Sequence, residues 1–134
     1  MLMRTDHIEI VPEDFERSLT FYTELLGFTL IHRYTLDAPP YTELAYLQQG
    51  DIGLELLRIN NPEPYQPPGN RAGLRCIAWQ VDDMEAMLAD YNAKGIATSW
   101  GPVTTDSFVR AEICDPDGNS IELRQWFGKA PNQQ

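Results

Sequence analysis

One imidazole, one thiol and two carboxylates stand at matching places in the two halves of this sequence, and together they make a donor set for a divalent metal. His7 lies in "RTDHIEIVPED", and Cys76 takes the equivalent place in "GLRCIAWQVDD", 69 residues later. Glu55 in "GDIGLELL" is matched by Glu122 in "DGNSIELR", 67 residues later. Imidazole and carboxylate are the ligands expected of Mn, Fe, Co, Ni or Zn. A lone strand histidine is more often an ordinary hydrogen-bonded residue, and a glutamate between two apolar strand residues usually marks a solvated face. Neither ordinary reading predicts the same position in both copies.

The elements that must position these groups follow from the repeat, a unit of about 68 residues present twice. Each copy opens on a strand, His7–Val11 or Cys76–Val81, with apolar residues at alternate places. A helix follows. In the first copy Phe15, Leu19, Tyr22 and Leu26 form one face and Gly27 stops it; in the second Met84, Met87, Leu88 and Tyr91 do so until Lys94-Gly95. Asp82 with Glu85 reads as a capping box. Strand candidates then flank turns: "TELAYLQ" and "IGLELLRI" around "QGD", and "FVRAEIC" and "SIELRQW" around "DPDGN". The pattern predicts an α+β domain spanning 1–134, with module one at about 4–59, a proline-rich linker at about 60–72 and module two at about 73–127. The linker "NNPEPYQPPGN" is an extended loop whose Tyr65 is a candidate to cover a pocket.

Alternation along the strands sorts the side chains into two faces. Ile8 and Ile10, Leu54 and Leu56, Ile77 and Trp79, and Ile121 and Leu123 form the core sets. The opposite faces carry His7, Glu9 and Val11; Glu55; Cys76, Ala78 and Gln80; and Glu122 and Arg124. Arg110 joins them if Val109, Ala111 and Ile113 are core.

Composition narrows the partners. Twenty acidic residues against ten basic ones leave a formal charge of -10 with no basic run, so nucleic acid is excluded as an expected partner. No apolar segment suits a signal peptide or a membrane span, and two cysteines fit a reducing compartment, so a cytoplasmic protein is expected.

The segments "DHIEI", "RSLTFYTELLGF", "GLELL", "CIAWQVDD" and "DPDGNSIEL" make the chain resemble the vicinal-oxygen-chelate superfamily, which includes glyoxalase I, bleomycin-resistance proteins and extradiol dioxygenases. The resemblance implies two βαβββ modules forming a cupped mixed sheet, a divalent metal at its centre and a homodimer. Its ligand set, carried onto this chain, is His7, Glu55, Cys76 and Glu122, with Cys76 where the resemblance expects histidine. A thiolate there would make the site negative by one unit and favour zinc; a thiol would act as a small apolar residue. Three outcomes stay open: Cys76 ligates, His7, Glu55 and Glu122 bind without it, or no metal is held.

The function implied is a metal-dependent lyase or isomerase acting on a small carbonyl or thioester substrate. In it Glu122, with Glu55 as alternative, takes the proton beside the polarised carbonyl. Arg124, Arg110, Gln80 and Glu9 are the candidate substrate-binding residues, and a small anion is the expected guest. Glutathione recognition by glyoxalase I uses an Arg and an Asn where this chain has Val11 and Ile59, with Asn60 one step late. The alternative is a metal-free protein that sequesters a small ligand.

Overall fold

The alternation in the first repeat forms β1 (His7–Ile10), and Val11 ends it exposed, because Pro12 has no N–H to continue a ladder. This computed structural model describes residues 1–66 and 69–133; Pro67 and Pro68 of the predicted linker, and Gln134, lie outside the described residues. The chain divides into two units, Met1–Tyr65 and Gln66–Gln134, with the boundary inside the proline-rich loop.

In the first unit β1 is followed by α1 (Phe15–Thr20), β2 (Thr29–Ala38), β3 (Tyr41–Gln49) and β4 (Ile52–Ile59). Asp14 caps α1, its carboxylate accepting from the Arg17 N–H at 3.0 Å. The predicted single helix widens instead into a π-turn over Phe21–Leu25, with the Leu26 N–H bonded to the Phe21 carbonyl at 3.0 Å. Widening turns two consecutive aromatics inward. Phe21, absent from the predicted face, is buried beside Tyr22, and their rings meet edge to face.

The second unit repeats the plan with β5 (Ile77–Gln80), α2 (Met84–Ala93), β6 (Thr98–Thr104), β7 (Phe108–Cys114) and β8 (Ser120–Trp126), then a short 3₁₀ turn at Pro131–Gln133. Cys76 falls just before its strand. The helix cap is one residue later than the sequence suggests: Asp83, not Asp82, accepts from the Ala86 N–H at 3.0 Å. The next free donor, the Met84 N–H, is taken by the Gln125 side chain at 2.8 Å. Asp83→Ala is therefore expected to destabilise this unit by about 1 kcal/mol, read as a lower urea midpoint with an unchanged slope.

Each unit is a four-stranded mixed sheet, ordered β1-β4-β3-β2 or β5-β8-β7-β6, whose only parallel pair among the described strands is the first strand with the last. The registers coincide, Ile8 opposite Leu54 in one unit and Ile77 opposite Ile121 in the other. Leu54, Leu56, Ile121, Leu123, Ala111 and Ile113 are buried as the alternation predicts. That parity turns the intervening side chains to the other face. "DPDGN" makes its turn by an Asx arrangement: buried Asp115 accepts from the N–H groups of Asp117 and Asn119 at 3.0 and 2.9 Å, and Gly118 takes φ +91°.

Candidate functional site

Lateral pairing of β1 with β4 places Glu9 directly opposite Glu55, and His7 opposite Gly53. The result is a cluster in the first unit: His7, Glu9 and Glu55 each offer one ligand atom, and these atoms lie within 4.8 Å of one another. The His7 Nε2 is 3.2 Å from Glu9 Oε1 and 3.5 Å from Glu55 Oε2. Its Nδ1 is 2.7 Å from Asp6 Oδ2. An aspartate on Nδ1 holds a proton there, and Nε2, which donates to Glu9 while it is protonated, presents its lone pair to the two carboxylates once that proton is lost. Tyr46 closes one side, its ring edge-on to His7 at 5.8 Å and its hydroxyl donating to the Asp6 carbonyl at 3.4 Å.

Charges in this cluster disturb one another. Hydrogen bonds that the ring donates to Asp6 and then Glu9 raise the His7 pKa above its usual 6.5. Burial raises that of Glu55 above 4.5, partly offset by His7. Asp6→Asn removes the larger cause, so the His7 titration midpoint is expected to move down toward 6.5, measurable by the ring proton shifts in an NMR pH series. The sign for stability follows. A raised histidine pKa contributes stability that is complete below pH 6.5 and lost as pH rises through the folded-state value, and Asp6→Asn should flatten that slope.

The first unit thus carries a His/Glu/Glu group whose donors suit a divalent cation. Glu9, expected as a substrate contact, is part of it. Asp6 was missed, although an acid directly before a histidine was visible; what pairs Glu9 with Glu55 is strand register, which alternation does not specify.

The second unit gathers a different set. Cys76, Glu122, Arg110 and Arg124 come together with two residues the sequence did not single out, Arg75 and Glu112. Arg75 Nη2 lies 3.1 Å from Cys76 Sγ, 2.9 Å from Glu112 Oε1 and 3.2 Å from Glu122 Oε2. Arg110 reaches Glu112 at 2.8 Å and Glu122 at 3.0 Å, and Arg124 reaches the other Glu122 oxygen at 2.6 Å. Cross-strand pairing puts Glu112 opposite Glu122 and Arg110 opposite Arg124, and the diagonal contacts turn two repulsive pairs into a network. Burial pushes the Cys76 thiol up, with Arg75 opposing. For Glu112 burial acts upward too, but hydrogen bonds from Arg75 and Arg110 prevail and lower it.

Gln80 is exposed and lines a cleft of about 380 Å³ with Ala78, Glu122, Arg124, Trp126 and the turn at Pro131. Tyr65 lies in the first unit, its N–H bonded to Glu13 at 2.6 Å. Among the described residues no helix is long and apolar enough to cross a membrane.

The model of the Glyoxalase/Bleomycin resistance protein/Dioxygenase superfamily matches residues 4–123. The chain belongs to this superfamily. Among its relatives, a probable lactoylglutathione lyase of Vibrio cholerae is 34% identical over 89% of this chain and 88% of its own length. The trypanothione-dependent glyoxalase I of Leishmania major superposes with a TM-score of 0.75 at 26% identity, covering 92% of this chain and 87% of that one. TnmS3, an antibiotic-binding protein from Streptomyces sp. CB03234, does so at 0.70 and 25% identity, over 93% and 97% of the two chains. The superfamily member described here therefore has both an enzyme and a binding protein among its structural neighbours, and its own side chains must decide between them.

Proposed function

We propose that this protein is a metal-dependent lyase or isomerase that moves a proton beside the carbonyl of a small carbonyl or thioester substrate, with its metal held by His7, Glu9 and Glu55. The observation that carries the reading is the hydrogen bond from His7 Nδ1–H to Asp6, which makes Nε2, placed beside Glu9 and Glu55, the nitrogen that a metal would take in exchange for its proton. A divalent ion bound there would act as a Lewis acid toward the carbonyl oxygen. One neutral imidazole and two carboxylates balance its charge, so Cys76 is not needed.

Glu55 is the proton acceptor in this reading. It is the more buried of the two carboxylates and its pKa is raised by that burial, which makes it the better base near neutral pH. When it takes the proton, the cluster gains one positive unit as negative charge develops on the substrate oxygen. Glu122, with both oxygens engaged by guanidinium groups, anchors Arg75, Arg110 and Arg124. Val11 and Ile59 offer no charge or amide at the two places where glyoxalase I holds glutathione, with Asn60 one residue beyond, so this reading rests on no glutathione contact. The reading includes a cytoplasmic homodimer: both cysteines are free, and edge strand β2 exposes Leu30, Ile31 and Tyr34.

The test is exchange of the α-proton of small hydroxycarbonyls and thiohemiacetals into deuterated water, followed by NMR. Exchange that requires a divalent ion and disappears in Glu55→Gln supports the reading. No stoichiometric metal, no affinity for added Zn, Ni, Co or Mn and no exchange on any of these substrates would leave the metal-free sequestering function, which the cleft of the second unit favours.

A further inference from the structure

We propose that the arginine cluster of the second unit, with the cleft it borders, is a binding site for a small organic carboxylate that needs no metal. The layering of charge is the first ground. Glu112 and Glu122 are about nine-tenths buried, whereas Arg75, Arg110 and Arg124 keep 47%, 29% and 25% of their side chains exposed. Carboxylates lie beneath and guanidinium groups lie outside. In a chain of net charge -10, this cluster presents a surplus of one positive charge, three arginines against two glutamates.

Donor counting leads the same way. A guanidinium has about five N–H donors and a carboxylate about four acceptor sites. The three arginines therefore have donors to spare. Arg124 Nε is buried with no hydrogen-bond acceptor, and Arg110 Nε, though 3.0 Å from Glu122, is too misaligned for a hydrogen bond. Both Nε atoms are closed to solvent, so an anion would meet the outward Nη donors of the partly exposed guanidinium groups.

The arginines are also held in place. Arg124 lies over the Phe108 ring at 4.3 Å and near Trp126 at 5.3 Å; Arg110 lies over Trp100 at 4.6 Å. Side chains fixed this way lose little further freedom when they clamp a ligand. Arg124 and Trp126 both line the cleft of about 380 Å³, with Gln80 as a neutral polar group. That volume is at the small end of ligand sites. A flat monocarboxylate fits: its charge goes to Arg124, its body lies against Trp126 and any further oxygen meets Gln80.

Benzoate and its uncharged analogue benzamide separate charge recognition from simple ring stacking. The full chain, stripped of metal with chelator, is labelled with ¹⁵N and the arginine Nε–H resonances are followed. Benzoate should shift those of Arg124 and Arg110 saturably, and benzamide should bind about tenfold more weakly or worse. Arg124→Ala should lose the benzoate response, and His7→Ala should keep it, which separates this site from the metal centre. Arginine resonances in the unaltered protein that stay still up to the solubility of benzoate would overturn the proposal. So would equal binding of benzamide, or loss of binding in His7→Ala. Because the deciding spectrum is of the unaltered chain, a poorly folding Arg124→Ala does not spare the idea.

Discussion

His7→Ala is expected to abolish stoichiometric binding of Zn, Ni, Co or Mn while leaving the thermal unfolding of the metal-free protein nearly unchanged at a pH well above the imidazole titration. The imidazole is the sole nitrogen donor of the His7, Glu9 and Glu55 group, and its removal leaves two carboxylates that repel each other. Its side chain is partly exposed, so truncation opens no sealed cavity. Glu55→Gln should weaken binding as well and abolish proton exchange, whereas Cys76→Ala should alter neither. Calorimetric titration reads the stoichiometry directly. The pH dependence has a defined sign: protons compete with metal for Nε2, and because Asp6 and Glu9 raise the His7 pKa, affinity should begin to fall above pH 6.5 as the solution is acidified. Undiminished affinity in His7→Ala would mean that the metal sits elsewhere.

Gly53→Ala tests the support of the site rather than its ligands. A Cβ at Gly53 would collide with the Tyr46 hydroxyl, come within 2.8 Å of Tyr46 Cζ and approach the Asp6 carbonyl at 3.0 Å. Gly53 is also the strand partner of His7. One methyl group thus displaces the ring that packs against His7 and the backbone that carries the Asp6 carboxylate. The expected cost is about 1–3 kcal/mol of stability from overpacking. Metal affinity should fall by about 10–100-fold through loss of the outer support, although no ligand changes. Adding Tyr46→Ala vacates the space; the double variant should recover stability relative to the sum of the single effects, and denaturant melts of the four proteins give the coupling.

The repeat made the fold legible. Two copies of one pattern predicted both βαβββ units, and the "DPDGN" turn and its two flanking strands stand where the sequence puts them. Local chemistry misled in detail: Asp82 and Asp83 are both plausible caps, and only hydrogen bonding selects the second. The paired aromatics Phe21 and Tyr22 both need burial, which widened a helix that periodicity drew as regular.

The site was half legible. Parity put His7 and Glu55 on one kind of face, as observed, but parity says nothing of which strand lies alongside, so the Glu9–Glu55 pairing was invisible. Arg75 precedes the strand and carries no periodic signal at all. Its position suggests why one copy can hold a thiol where the other holds an imidazole. In the second unit a guanidinium lies against the Cys76 sulfur and both carboxylates, so a built-in cation stands where a metal would otherwise be sought.

In the proposed metal centre His7 Nε2 is a ligand while Asp6 retains the proton on Nδ1. With two histidines in the chain, a long-range ¹H–¹⁵N spectrum of the imidazoles before and after one equivalent of zinc addresses it with an internal control, His32, which stacks on Tyr34 at 5.8 Å. A metal-induced shift of the His7 Nε2 resonance, a protonated Nδ1 throughout and an unmoved His32 are the expected result. A His7 ring that ignores zinc, or ligates through Nδ1, would contradict it.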